Sequence, residues 1–89
     1  GNDNTQLPTN EWADVVVVGG TTSTDARWSS SNFGGMLSVS APAAGVRSTR
    51  FNNTYNTSSG TSFASPIAAG VGALIIAANP ALTAGQVQE

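Results

Sequence analysis

The apolar residues of this chain form two short runs and one long run, separated by segments rich in Ser, Thr, Asn and Gly. The first short run, Val15 to Val18, consists of four β-branched residues without alternation and is followed by two glycines. Such a run is typical of a strand that is covered on both faces, as in a parallel sheet. The second run, within residues 36–42, predicts another short strand that Pro42 ends.

The long apolar run predicts a helix from Thr61 or Ser62 to about Ala78, because Asn79-Pro80 follows it as a stop signal. Alanine and larger apolar residues cover every side of this helix and leave no clear polar face. A helix that is apolar all round must be buried. We therefore expect a buried central helix, which two short strands of an 89-residue chain cannot easily enclose.

Polar segments fill the rest of the chain. Residues 1–11 and 21–35 are predicted to form loops and turns, and residues 46–59 an irregular or hairpin segment. Residues 83–86, Thr-Ala-Gly-Gln, have the form of a capping box and predict another helix start close to the last residue. A central helix that needs more cover and a helix signal at the end of the sequence together indicate a piece of a larger fold.

Composition excludes several classes of function. Charged residues make up 9% of the chain, there is no lysine, and the net charge is −2, so there is no electrostatic footprint for nucleic acid. The chain has no cysteine and no histidine, which removes thiolate sites, the usual zinc ligands and the commonest general base. The apolar stretch Ile67 to Ala78 is shorter than the roughly 20 residues that span a bilayer. We expect neither nucleic acid nor a membrane as a partner.

Ser62 lies in the segment GTSFASP, residues 60–66, where the long helix is predicted to start. A Thr-Ser pair before a helix is most often a cap, because these side chains accept hydrogen bonds from the first N–H groups. The pattern G-T-S-x-A-x-P, however, fixes five of seven positions, a match expected by chance about once per million starting points. Unpaired N–H groups and the helix dipole at this end favour negative charge. The Ser62 N–H is therefore placed where negative charge is favoured.

With this motif, the sequence resembles the subtilisin-like serine proteases, or subtilases, and the resemblance covers nearly the whole chain. Blocks similar to family motifs follow one another in the family's order: Gly1-Asn2, Val18-Gly19-Gly20-Thr21, Ser31-Asn32-Phe33-Gly34, Ala41-Pro42, Gly60 to Pro66, Asn79-Pro80 and Leu82-Thr83. Two positions depart from the family pattern. Ala43 replaces the glycine of A-P-G, and Ile67 stands where histidine often follows the proline.

The resemblance implies an α/β fold with a mainly parallel sheet flanked by helices, in which residues 1–89 are the incomplete C-terminal portion of a peptidase domain. It implies a serine endopeptidase that hydrolyses peptide bonds through an acyl-enzyme. Ser62 maps onto the nucleophile, and Asn2 maps onto the side-chain donor of the oxyanion hole. Gly60 and Thr61 are expected at the site of an extended polypeptide substrate, where Thr61 either helps the oxyanion site or merely packs.

The resemblance also implies that other parts of the domain are needed for activity. In the family the catalytic aspartate and histidine precede the serine, whereas Asp3, Asp14 and Asp25 all follow the Gly1-Asn2 block and histidine is absent. The remainder of the domain is therefore expected to supply both residues, and the segment alone is expected to be inactive. No spacing indicates a metal site in this segment. Many subtilases hold calcium, so the resemblance allows it in the complete domain.

Two alternatives stay open at this point. One is a non-catalytic subtilase-like scaffold or binding domain, in which the motif persists as a structural helix start. The other is a hydroxyl-rich adhesion module, against which the apolar helix argues because such modules favour alternating strands. The hydroxyl-rich, cysteine-free composition is compatible with secretion, which we expect. Asn52 and Asn56 match glycosylation sequons, which are used only on a eukaryotic secretory route.

Overall fold

The computed structural model describes residues 1–8 and 14–88 of the chain. These residues contain two small sheets and two helices. In chain order the elements are β1 (Val18–Thr21), β2 (Val39–Pro42), β3 (Val46–Arg50), β4 (Thr54–Ser58), α1 (Thr61–Ala78) and α2 (Ala84–Gln88). β1 and β2 pair in parallel, and β3 and β4 pair antiparallel. The predicted α/β class is confirmed. α1 packs on the parallel sheet that β1 and β2 form.

The first strand is shorter than predicted. The expectation of a strand from Val15 was wrong, because β1 begins at Val18. Val18 lies opposite Val39, the first residue of β2, and before Val18 the pairing continues only as hydrogen bonds from Ser38 N–H and Val39 N–H to Val17 O. Val15 is 43% exposed, so the predicted cover on both faces is also absent there.

The β3–β4 hairpin brings the chain back to the start of α1. Its turn contains Asn52 and Asn53 with φ of 58° and 56°, a left-handed conformation that asparagine tolerates better than most residues. Of the two possibilities that the sequence left open for residues 46–59, irregular or hairpin, the structure has the hairpin. Beyond the paired strands, Gly60 N–H donates to Ala43 O at 2.8 Å. This bond fixes Gly60 against the segment that follows β2, next to the parallel sheet.

The long helix has the predicted bounds, and the described residues leave most of it exposed. α1 runs from Thr61 to Ala78, and only Thr61 and Ala64 of its residues are buried. Ala64 joins Ala41 and Ala43 in a small core, whereas Leu74 is 71% exposed. The described residues thus leave most of α1 uncovered, in line with the expectation that this chain cannot enclose the helix, and burial of α1 in a complete domain stays a prediction. The elements that pack on α1 are β1, β2 and α2, and most of the helix stays exposed beside them.

α1 also passes a simple test for a membrane span. Its 18 residues have a mean hydropathy of 1.7, and about 17 to 25 residues can cross a bilayer. The helix is longer than the apolar stretch from which the sequence argued against a span, because it begins at Thr61. Its first turn packs on the alanine core, and the absence of a membrane partner stays a prediction.

The short helix α2 starts as its sequence predicts. Thr83 N–H donates to Gln86 Oε1 at 2.8 Å, and Gln86 N–H donates to Thr83 Oγ1 at 3.3 Å. These reciprocal bonds are those of a capping box. α2 then packs on α1 at Gly72, where a Cβ atom would lie 3.7 Å from Val87 Cγ1.

Candidate active site

Ser62 is the second residue of α1 and does not cap the helix. The N-cap is Gly60, whose backbone is extended (φ 160°, ψ 150°) and whose position has no side-chain cap hydrogen bond. The Ser62 side chain is exposed, and it makes no hydrogen bond within residues 1–8 and 14–88. Its hydroxyl is therefore accessible at the amino-terminal end of the helix.

The first N–H group of α1 is capped by a residue from the other end of the chain. Asn2 Oδ1 accepts hydrogen bonds from Thr61 N–H at 2.9 Å and from the Thr61 hydroxyl at 2.7 Å, across 59 residues of sequence. A backbone N–H can only donate, so the carboxamide oxygen of Asn2 must face Thr61. The Nδ2 group of Asn2, with its two N–H donors, is consequently turned away from Thr61.

Ser62 and Asn2 face the same space above Gly60. A Cβ atom placed on Gly60 would lie 3.2 Å from Ser62 Oγ and 3.6 Å from Asn2 Nδ2. Gly60 has no side chain to fill this space, which Phe63 Cδ2 also borders at 3.7 Å from the same point. An atom near this point would lie close to both a hydroxyl oxygen and an amide group. The four residues expected at the site, Asn2, Gly60, Thr61 and Ser62, thus lie together at one end of α1.

A fifth residue, Asn32, was not assigned to the site from the sequence, although its block was noted as a family-like turn. Asn32 Oδ1 accepts hydrogen bonds from Asp3 N–H at 3.0 Å and Thr5 N–H at 3.2 Å. Its own N–H donates to Gly1 O at 2.9 Å. Asn32 therefore binds the backbone on both sides of Asn2. The sequence signal was an asparagine in a turn, which alone does not show what that asparagine binds.

Among the described residues, no aspartate side chain bonds to Asn2, Thr61 or Ser62. Asp3, Asp14 and Asp25 are exposed. Across the described ranges, no three carboxylate, imidazole or thiol groups come close enough to hold a metal ion. Calcium binding by a complete domain stays a prediction.

Comparisons with known proteins agree on one family. A family model described as the Subtilase family matches residues 1–89. The chain is 42% identical to subtilisin DY of Bacillus licheniformis over 88 residues, which is 99% of this chain and 32% of subtilisin DY. It is 47% identical to alkaline serine exoprotease A of Vibrio alginolyticus over 73 residues, which is 82% of this chain and 14% of that relative.

The fold comparison gives the same result. The chain superposes on the crystal structure of a cold-adapted subtilisin-like serine proteinase with a TM-score of 0.89 and 39% sequence identity. The match covers 99% of this chain and 33% of that structure. The chain therefore spans a third or less of the length of these relatives.

Proposed function

This chain belongs to the subtilase family, and we propose that it is the nucleophile-bearing segment of a serine endopeptidase. The observation that carries the proposal is the convergence of Ser62 Oγ and Asn2 Nδ2 on the open space above Gly60. A nucleophile and an oxyanion donor must both lie near one reacting carbonyl group. An exposed hydroxyl at a helix start, with an amide aimed at the same point, meets this requirement.

In the proposed reaction, Ser62 Oγ attacks the carbonyl carbon of the scissile peptide bond and gives its proton to a histidine base. The tetrahedral oxyanion accepts hydrogen bonds from the Ser62 N–H and from Asn2 Nδ2. The Ser62 N–H has no acceptor within residues 1–8 and 14–88, so it is free for this use. Collapse of the intermediate breaks the C–N bond, protonates the leaving amine and leaves an ester on Ser62, which water then hydrolyses.

Thr61 and Gly60 have supporting parts in this proposal. Thr61 donates two hydrogen bonds to Asn2 Oδ1 and so orients the amide donors towards the reacting carbonyl. Its buried position gives that orientation little freedom. Gly60 leaves the approach to Ser62 open, so that an extended polypeptide substrate can lie alongside the chain at this point.

The remainder of a peptidase domain is the partner that the proposal requires. It would supply the aspartate and histidine, because this chain has no histidine and a serine hydroxyl is a weak nucleophile without a base. It would also cover the exposed apolar side of α1, on which Leu74 lies. We propose an extracellular location, in keeping with the exoprotease name of one relative.

A fluorophosphonate probe tests the proposal directly. In the full-length protein that carries this segment, we expect stoichiometric labelling of Ser62. The activated Ser62 oxygen would attack the phosphorus of the probe as it would attack the carbonyl carbon of a substrate, and fluoride would leave. The site of labelling is read by peptide mass spectrometry. Ser65, an exposed serine one helical turn further along α1, is the internal control and should stay unlabelled. Absence of labelling in a correctly folded protein would support the non-catalytic alternative.

Substitution of Gly60 by alanine should also damage activity. The new methyl group would lie 3.2 Å from Ser62 Oγ and 3.6 Å from Asn2 Nδ2, in the space proposed for the reacting carbonyl. We expect kcat/KM to fall about 100-fold, as for other small displacements of reacting groups. Gly85→Ala is the matched control, since nothing lies within 4 Å of its added Cβ. Equal activity of the two variants would show that the space above Gly60 is not used.

A further inference from the structure

We infer that Asn32 is a positioning residue, which holds the Asn2 amide where the oxyanion forms; this inference rests on the proposed role of Asn2. Asn2 is exposed, so packing does little to fix its place. Asn32, by contrast, is 8% exposed. A buried asparagine that bonds to an exposed loop carrying a proposed active-site amide is suited to fix the position of that loop.

The hydrogen bonds of Asn32 enclose Asn2 on both sides along the chain. The Asn32 N–H donates to Gly1 O at 2.9 Å. Its Oδ1 accepts from Asp3 N–H at 3.0 Å and from Thr5 N–H at 3.2 Å. The residues immediately before and after Asn2 are therefore both bound to Asn32, Gly1 through the Asn32 backbone and Asp3 through the Asn32 side chain. A large displacement of the Asn2 backbone would therefore stretch or break these bonds.

Asn32 is itself fixed to the sheet on which α1 packs. Ser31, which is 1% exposed, accepts a hydrogen bond from Gly20 N–H of β1 at 2.9 Å and donates one to Asn32 O at 2.8 Å. A Cβ on Gly20 would lie 3.5 Å from Thr61 Cγ2, so the same end of β1 contacts the first residue of α1. The loop of Asn2 and the helix start of Ser62 are thus both positioned by β1.

Hydrogen bonds from Arg27 also hold the loop that contains Asn2, and they should let the protein fold without the Asn32 side chain. Arg27 Nη1 donates to Asn4 Oδ1 at 3.0 Å and to Ser31 O at 2.7 Å. The Asn32→Ala variant keeps these bonds and the backbone bond to Gly1. We therefore expect the loop to stay near its place but to lose the positional accuracy that Asn2 needs, since displacements of about 1 Å can cost 100-fold in rate.

The test is a double-mutant cycle in the full-length protein, with kcat and KM measured on a chromogenic peptide. Asn2→Ala should lower kcat about 10²- to 10³-fold, a magnitude taken from the subtilisins themselves. Asn32→Ala should lower kcat about tenfold or more with KM little changed, because the lost accuracy concerns the transition state. The double variant should be no slower than Asn2→Ala alone, since Asn32 acts only through Asn2.

Two further variants separate positioning from general structural support. Asn32→Asp keeps oxygen acceptors for Asp3 and Thr5 N–H and should recover most of the kcat lost in Asn32→Ala. Asn79→Ala removes the same kind of side chain and its bond to Ala81 N–H at the far end of α1. It should leave kcat unchanged. Should Asn32→Ala not fold, Asn32→Ser, whose shorter hydroxyl arm cannot reach both N–H groups, enters the cycle in its place.

The outcomes distinguish the inference from the function on which it rests. If the losses of Asn2→Ala and Asn32→Ala multiply in the double variant, or if Asn32→Ala changes thermal stability but not kcat, Asn32 is not a positioning residue while the proposed function stands. If Asn2→Ala retains full kcat, the proposed oxyanion role of Asn2 fails, and the role of Asn32 fails with it.

Discussion

Replacement of Ser62 by alanine in the full-length protein should lower kcat by about 10⁶-fold, the loss measured for the nucleophile of subtilisin itself. The residual rate would come from substrate binding and from the donors above Gly60, which the substitution leaves in place. Steady-state hydrolysis of a chromogenic peptide, with the enzyme concentration determined independently of activity, provides the measurement. A variant that kept more than about 1% of kcat would be incompatible with Ser62 as the only nucleophile.

The same variant separates a catalytic serine from a structural one. A serine that capped the helix would cost about 1 kcal/mol of stability on replacement by alanine. Gly60 is the N-cap, however, and Asn2 Oδ1 takes the first helical N–H. We therefore expect the thermal midpoint of Ser62→Ala to match that of wild type. Ser65→Ala, an exposed position in the same helix, should leave both activity and stability unchanged. Lost stability with Ser62→Ala and no lost activity would favour the scaffold alternative.

Local sequence signals predicted those ends of helices that are determined by residues adjacent in sequence. The stop at Asn79-Pro80 and the capping box at Thr83 and Gln86 predicted where α1 ends and α2 starts, and both are confirmed. The start of β1 was not predictable in this way. All four residues from Val15 to Val18 are equally strand-like, and the strand begins where β2 begins opposite it. The residue paired with the first position of β1, Val39, lies 21 positions later in the chain.

Burial of α1 shows a different limit of the sequence. An apolar surface on every side indicates that a helix requires cover, but it does not indicate which chain segment supplies that cover. The described residues cover the side that faces β1, β2 and α2 and leave residues such as Leu74 exposed. The relatives are about three times as long as this chain or longer, which is compatible with cover by the rest of a domain.

The candidate site was predictable as a set of residues but not as a geometry. The G-T-S-x-A-x-P pattern identified Ser62, and the order of the family-like blocks identified Asn2. The bond from Thr61 to Asn2 spans 59 positions, and the bonds from Asn32 to Asp3 and Thr5 span 29 and 27. Hydrogen bonds between residues so far apart in sequence depend on how the sheet, the loop and the helix pack together. That packing cannot be read from local patterns in a single sequence.

Purified residues 1–89 should show no peptidase or esterase activity above background. The segment has no histidine, and loss of the histidine alone lowers turnover about 10⁶-fold in subtilisin. The Ser62 hydroxyl would then be no more reactive than an ordinary alcohol, although Asn2 and the helix start lie beside it. A peptide ester is the most sensitive substrate, because its leaving group needs the least assistance. The expected result is a rate equal to that of the same segment carrying Ser62→Ala.

The Ser62→Ala segment is the control that gives this comparison its meaning, because both forms expose the same apolar face of α1 and should associate to the same degree. The full-length protein, assayed in parallel, should hydrolyse the ester rapidly and lose that activity on treatment with a fluorophosphonate. A segment that turned over ester faster than its Ser62→Ala form would contain a base that its sequence does not reveal. A group within these 89 residues would then accept the proton of the attacking serine. The proposal that a partner must supply aspartate and histidine would be wrong.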